Sequence, residues 1–465
     1  MKEAMTRRER LLWIALVLIG VWGALVLSGA PSFTQADNVA SAPAKPDKPP
    51  EPSTAELLGI DRVQRRLGTA APTGRGIVVG LVESHSDGGY VPRVQADRFG
   101  DVQFAFAVKP AEVSGHATAT ATVLFGPRGL APGVQQVVCY PSAHWMGNVF
   151  LRPRDGGPPR PGRIRIFTHS WIANSEDPAA LATLRRVDYL VDEHDVLVVA
   201  GVNNNRTSPM PALLGSAYNA IAVGHWSGNS SGGYTRVETP GRCKPDVVGP
   251  GGLTSFSTPA VAAVAARLLE FADAQGPDSP ARRAEVIKAI LMAGADKPQG
   301  WKPGPGKPLD EHLGAGRVRF DRSLEMLEAG QPSGGQITRR CGWQFASLRP
   351  GEKAALEFDS PAGLGELSVM LVWHRRIEGR LAQDLATRRM HWLDTPRLAN
   401  FDLLLHATDD AGATQQVARS AGSIDNVEHL WQRDLPAGRY RIEVVRQSDE
   451  IDEAWDYALA WRMER

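Results

Sequence analysis

The sequence predicts an α/β domain, a doubly wound parallel sheet with helices on both faces, followed by a small all-β sandwich. Three observations predict it. Gly76-Ile-Val-Val-Gly-Leu-Val82, Val196-Leu-Val-Val-Ala200 and Ala220-Ile-Ala-Val-Gly224 are short apolar runs rich in β-branched residues, as strands buried on both faces are. Helical stretches such as Pro178–Glu193 separate them, which is the grammar of βαβ units. Beyond Gln331-Pro-Ser-Gly-Gly335 the pattern changes to alternating or apolar strands divided by turn residues: Leu367–Trp373, Asn400–His406 and Tyr440–Val445.

Taken in order, the chain opens with Arg7, Arg8 and Arg10 ahead of Leu11–Leu27, a run without a charge. It is longer than the roughly 7–15 residues of a signal-peptide core and close to the roughly 17–25 that span a bilayer. Residues 1–30 therefore read as a membrane anchor with its arginines cytoplasmic, or else a signal peptide. The anchor is preferred because the cleavage candidate Ala40-Ser-Ala42 is followed by Pro43. Either reading exports the rest of the chain, held at the membrane facing outward or released. Residues 31–53, with Pro43-Ala-Lys-Pro-Asp-Lys-Pro-Pro-Glu-Pro52, form an extended spacer. The α/β domain is expected over 54–330, ending in helices Thr258–Ala274, Arg283–Ala295 and Asp321–Ala329, and the β domain over 337–465.

Composition narrows the function. Lys plus Arg (52) nearly cancels Asp plus Glu (51), so nothing points to nucleic acid. Cys139, Cys243 and Cys341 are too few and too scattered for a disulfide framework or a CxxC metal site.

Ser255 lies in Gly252-Leu-Thr-Ser255-Phe-Ser-Thr-Pro259 at the start of an apolar helix, where the helix dipole favours developing negative charge. On these residues alone, Ser255 or Thr258 reads first as a simple helix cap. His116, in Ser-Gly-His116-Ala-Thr-Ala-Thr, precedes small residues that let a helix pack tightly. Glu83 ends the first buried strand, at the carboxyl edge where open α/β sheets carry functional groups. A serine, an imidazole and a carboxylate are what acyl transfer by serine needs.

These segments resemble the signature blocks of the subtilase family of serine proteases. Val-Val-Gly-Leu-Val-Glu83-Ser resembles the strand ending in Asp-Ser or Asp-Thr, Gly-His116-Ala-Thr the His-Gly-Thr block, and Thr254-Ser255-Phe-Ser-Thr-Pro the Thr-Ser-Met-Ala-Ser-Pro block, in the family's order. Gly129–Gly133, Ala220–Gly224, Lys244–Gly251 and Gly314–Val318 resemble further blocks, so the likeness covers about 55–330. It implies a subtilisin-like fold and an endopeptidase with Ser255 as nucleophile, His116 as base and Glu83 as orienting acid. It also implies that Asn203 supports the oxyanion, with Asn204 and Asn205 following directly, and that Ser170, Trp171, Ala200 and Gly201 line the cleft. Residues 337–465 resemble the jelly-roll module that follows some bacterial subtilase domains. No cofactor is required; calcium sometimes binds such modules, although no dense oxygen-ligand loop is present.

The pattern also breaks. Glu83 stands where the family has aspartate, and one added methylene moves a carboxylate by about 1.5 Å. Asp87 is a rival orienter, and a glutamate with a second acid four residues on resembles the sedolisins, whose sequences lack the His-Ala-Thr block. His85 and Ala117 replace glycines, Trp171 and Ile172 replace small residues, and the stretch from Gly251 to Ser255 is short. Thr54–Arg75 already resembles the start of a mature domain, leaving no room for an inhibitory propeptide. The competing expectation is a peptide-binding protein that has lost turnover. A lipase-type hydrolase would want Gly-x-Ser-x-Gly, which Leu253–Ser257 does not supply.

Overall fold

The computed structural model describes residues 51–152, 157–175, 178–383 and 390–464. The expected anchor or signal peptide and nearly all of the proline-rich spacer lie outside the described residues. Among the described residues no helix is long and apolar enough to cross a membrane.

After helix α1 (Ile60–Leu67) the chain enters β1 (Val78–Glu83), β2 (Gln103–Phe106), helix α2 (Gly115–Leu124), β3 (Gln136–Pro141) and β4 (Ile164–His169). Helix α3 (Pro178–His194) leads to β5 (Leu197–Gly201) and β6 (Ile221–His225). A two-residue ladder of β7 (Gly233–Tyr234) with β8 (Cys243–Lys244) precedes β9 (Val247–Gly249) and helix α4 (Thr254–Asp273). The seven-stranded sheet has the order β2-β3-β1-β4-β5-β6-β9, every pair parallel. β1, β5 and β9 are buried throughout, which is why their sequences are apolar up to Glu83 at the end of β1, whereas β4 is buried at every residue but Arg165. The edge strand β2 is mostly exposed and carries no such signal.

α4 crosses the sheet behind β4, β5 and β6 and packs on α2. Its run Ala260-Val-Ala-Ala-Val-Ala-Ala266 is fully buried, the small side chains allowing close approach. Helix α5 (Ala284–Ala293) is buried on every side, its Lys288 Nζ included, which reaches the Tyr218 and Ala220 carbonyls and Asp246. α6 (Phe320–Ala329) packs against α1 and α4.

The β-rich domain follows as β10 (Cys341–Leu348), β11 (Lys353–Ser360), β12 (Leu364–Val372), β13 (Arg376–Gln383), β14 (Met390–Arg397), β15 (Phe401–Thr408), β16 (Thr414–Ser420), β17 (Val427–Leu435), β18 (Gly438–Arg446) and β19 (Trp455–Glu464). Two antiparallel sheets, β10-β19-β12-β17 and β11-β18-β15-β16, enclose a core that includes Trp373, Phe401, Trp455 and Tyr457. β12 alternates in a telling way. Leu367, Val369 and Leu371 face that core, while Met370 and Val372 join the hydrophobic core of the α/β domain, whose α5 lies against β12 and β19. A strand that serves two cores reads as an unbroken apolar run.

Polar contacts reinforce this junction. Arg375 lies between Asp188 on α3 and Glu238, and its backbone N–H donates to Asn219 Oδ1 at 2.9 Å. Asn426 Nδ2 donates to the carbonyls of Trp373 at 2.8 Å and Tyr218 at 3.2 Å. The three cysteines are free thiols.

Candidate active site

Glu83 is the last residue of β1, flanked by β3 and β4 in the sheet, and its side chain is only 1 % exposed. Ser114 caps α2, its Oγ accepting from Ala117 N at 3.0 Å, an arrangement worth about 1 kcal/mol. A Ser86–Ser114 hydroxyl contact of 2.6 Å ties that cap to the loop leaving β1. His116 therefore enters the helix directly above Glu83. His116 Nδ1 and Glu83 Oε2 are 2.9 Å apart. An ionised carboxylate can only accept, so Nδ1 carries the hydrogen and Nε2 is left with its lone pair. One turn further along α2, on the same face, Thr120 Oγ1 donates to Glu83 Oε1 at 2.8 Å. Both carboxylate oxygens are thus held by residues four apart on one helix. The hydrogen bond to Glu83 raises the His116 pKa above the ordinary imidazole value; the charges of Glu83 and Asp87 add to this and burial opposes it.

Ser255 is the second residue of α4. Leu253 is the N-cap and makes no side-chain cap bond, so the serine hydroxyl is not spent on capping. Its own N–H belongs to the first helical turn, where intrahelical acceptors are lacking. Pro259, four residues on, has no N–H to give to the Ser255 carbonyl. Ser170 Oγ, just past the end of β4, fills that gap with a 3.0 Å hydrogen bond to Ser255 O. On the other side Asn204 Oδ1 accepts from Thr254 N at 2.7 Å and Thr254 Oγ1 at 2.9 Å. With its oxygen fixed, the exposed Asn204 amide has its N–H groups free to point at a ligand beside Ser255. His225, at the end of β6, hydrogen-bonds the Gly251 carbonyl in the turn before α4. Gly251 itself has φ +139, and a Cβ there would lie 2.9 Å from Phe256 Cβ, so the short turn depends on glycine.

Several sequence expectations change. Asn203 is not the asparagine tied to the serine turn: its Oδ1 accepts from Asn205 N at 2.9 Å, and its backbone pairs with Ser231. The chain leaves β5 at Gly201, and it is Asn204 that meets the start of α4. Trp171 does not present its indole to an open cleft; it packs in the hydrophobic core beside His169, ring centroids 5.6 Å apart. Ala200 and Gly201 are buried in β5, and a Cβ on Gly201 would sit 2.9 Å from Thr258 Oγ1. Asp87 faces the Gly115 N–H at 3.3 Å rather than the imidazole. A second histidine, His169, is fully buried against Trp145, and burial pushes its pKa down to about 3, so it stays uncharged in the core. Ser255 Oγ has no hydrogen bond to His116 here; such contacts often close only when substrate docks. Thr120 was not singled out in the sequence, although its i+4 spacing from His116 was a signal; Asn204 was named only as the neighbour of Asn203, and Pro259 only as part of the serine block.

The parallel sheet thus carries a buried acid holding an imidazole at the start of α2, and a serine in the first turn of α4. The model of the subtilase family matches residues 110–316, somewhat under half of the chain. The matched stretch contains His116 and Ser255 but begins after Glu83. No curated protein matches the sequence significantly. Among solved structures, the chain is similar to tripeptidyl peptidase 2 at 12 % identity and TM-score 0.35, over 75 % of this chain and 40 % of that one. It thus spans less than half of that relative's length. It is similar to the PatG macrocyclase in complex with peptide at 15 % identity and TM-score 0.36, over 58 % and 95 %. A third likeness is to PliG of Aeromonas hydrophila, a periplasmic lysozyme inhibitor, at 12 % identity and TM-score 0.18, over 28 % and 94 %.

Proposed function

We propose that this chain is an exported serine endopeptidase. Ser255 Oγ attacks the scissile carbonyl carbon while His116 Nε2 takes the hydroxyl proton. The imidazolium then gives that proton to the leaving amine as the C–N bond breaks, leaving an acyl ester on Ser255. Water, deprotonated by the same imidazole, hydrolyses the ester and restores the serine. Glu83 keeps the imidazole in the Nδ1–H tautomer and balances its charge. Thr120 holds the other carboxylate oxygen in place. Asn204 Nδ2 and the Ser255 N–H donate to the oxyanion. Export rests on the arginines ahead of Leu11–Leu27.

The observation that carries this reading is the 2.9 Å contact between His116 Nδ1 and Glu83 Oε2. It supplies the orienting acid that the Asp-to-Glu departure called into question. The test is labelling of the folded protein by a fluorophosphonate. Label is expected on the parent and absent from Ser255→Ala. Folded parent that takes no label would instead be a peptide-binding relative without turnover.

A pH profile gives an independent check. The base works only as neutral imidazole, and its pKa is raised by Glu83. Activity must therefore be lost as pH falls through that raised value. The acid limb of kcat/KM is expected to have its midpoint above about 6.5, the ordinary imidazole value. A midpoint at or below it would mean that Glu83 does not act on His116 in solution.

A further inference from the structure

Far from the serine, one histidine meets two acids inside the protein. His374 follows Trp373 out of the β-rich domain and reaches between α3 and α5. Its Nδ1 lies 3.3 Å from Asp192 Oδ1 on α3 and 3.2 Å from Glu285 Oε1 on α5. The three ligand atoms lie within 4.8 Å of one another. A tetrahedral ion with bonds of 2.0–2.2 Å spaces its ligands by about 3.3–3.5 Å, the spacing found around Nδ1.

Two further observations bear on what fills this point. Glu285 is 1 % exposed, and its second oxygen, Oε2, is buried with no hydrogen-bond partner. A cation bound through both oxygens of the carboxylate would satisfy it. The local charge is also unbalanced. Asp192, Glu285 and Asp195 face one guanidinium, Arg283, which is 3.1 Å from Asp195 Oδ2 and 3.5 Å from Glu285 Oε1. Asp456, the next acid out, pairs with Arg376 at 3.1 Å. With a neutral imidazole, two negative charges remain uncompensated in a largely buried place, and a buried charge is costly unless paired.

We propose that Asp192, Glu285 and His374 form a binding site for a divalent transition ion of the zinc type, clasping the β-rich domain to the α/β domain. The imidazole nitrogen selects against calcium, which takes six to eight oxygens, and for a metal that accepts mixed nitrogen and oxygen ligands. His374 ligates through Nδ1 and keeps its proton on Nε2. A cavity of about 530 Å³ reaches Asp192, the outermost of the three, and is lined also by Arg283, Trp455 and Asp456; His374 and Glu285 lie behind it. This site does not depend on the peptidase reading, since no residue is shared.

The test uses the full chain, stripped with a chelator and titrated with zinc chloride. One zinc per chain is expected, with a rise in the thermal unfolding midpoint. Cobalt as a probe is expected to give the intense visible bands of a four- or five-coordinate ion. Asp192→Asn and His374→Gln should each abolish zinc uptake and the zinc-dependent rise. Asp192 is half-buried, so its amide variant tests the site even where the His374 variant fails to fold. Folded parent chain that takes up less than about a tenth of an equivalent overturns the proposal and leaves a proton on His374 in the cation's place. Unchanged uptake in Asp192→Asn overturns it as well.

Discussion

Glu83→Gln is expected to lower kcat by about 10⁴-fold with KM little changed, the size of effect seen when a triad acid becomes an amide. The reason is specific to this grip. Oε1 accepts from Thr120 Oγ1 at 2.8 Å and Oε2 contacts His116 Nδ1 at 2.9 Å. An amide that keeps the Thr120 bond turns its NH2 towards Nδ1. That selects the Nε2–H tautomer, which cannot take the serine proton. It also removes the charge that stabilises the imidazolium. Steady-state kinetics on a peptide substrate would decide the matter, and a Glu83→Gln variant within tenfold of the parent would remove Glu83 from the mechanism. Glu83→Asp is the sharper companion. Restoring the family's usual residue here retracts the carboxylate by about 1.5 Å, and a misplacement near 1 Å can cost about a hundredfold. The strand and helix of this protein are spaced for glutamate, so the apparent consensus change is expected to impair it.

How much of this was visible in the sequence depends on whether a residue's role is local. The runs at 76–82, 196–200 and 220–224 were legible because their strands are buried on both faces, which forces continuous apolarity. Leu367–Trp373 was legible as a strand, but its double burial between two cores was not, since a period-two pattern cannot say what covers each face. β2, with Gln103 and Phe106 exposed at the sheet edge, offered no pattern to read. Ser255, His116 and Glu83 were singled out through their blocks, and the structure brings His116 and Glu83 into contact. Thr120 was hidden in an Ala-Thr alternation that looked like packing, because its partner is 37 residues away. Asp192, Glu285 and His374 share no local motif at all: they meet only because α5 is enclosed by both domains.

The slip from Asn203 to Asn204 has the same origin and yields the last prediction. Three consecutive asparagines are indistinguishable by alignment, and the end of a strand is the least legible part of it. Side-chain partners distinguish them. Asn203 closes a local turn onto Asn205 N, whereas Asn204 holds Thr254, the residue before Ser255. Asn204→Ala is therefore expected to lower kcat by about 10²–10³-fold, the loss known for removing one oxyanion donor, with KM nearly unchanged. Asn203→Ala should stay within a fewfold of the parent, since it loses one exposed turn contact. A donor that acts on the oxyanion affects the transition state more than the ground state, so the loss must fall on kcat rather than KM. Asn204→Asp adds a control: it keeps the acceptor for Thr254 N but replaces the donor with a charge that repels the oxyanion. If Asn204→Asp retained activity while Asn204→Ala lost it, the residue would be positioning the serine turn through Thr254. If Asn203→Ala were the damaged variant, β5 would end one residue earlier in the working enzyme and the first alignment would be restored.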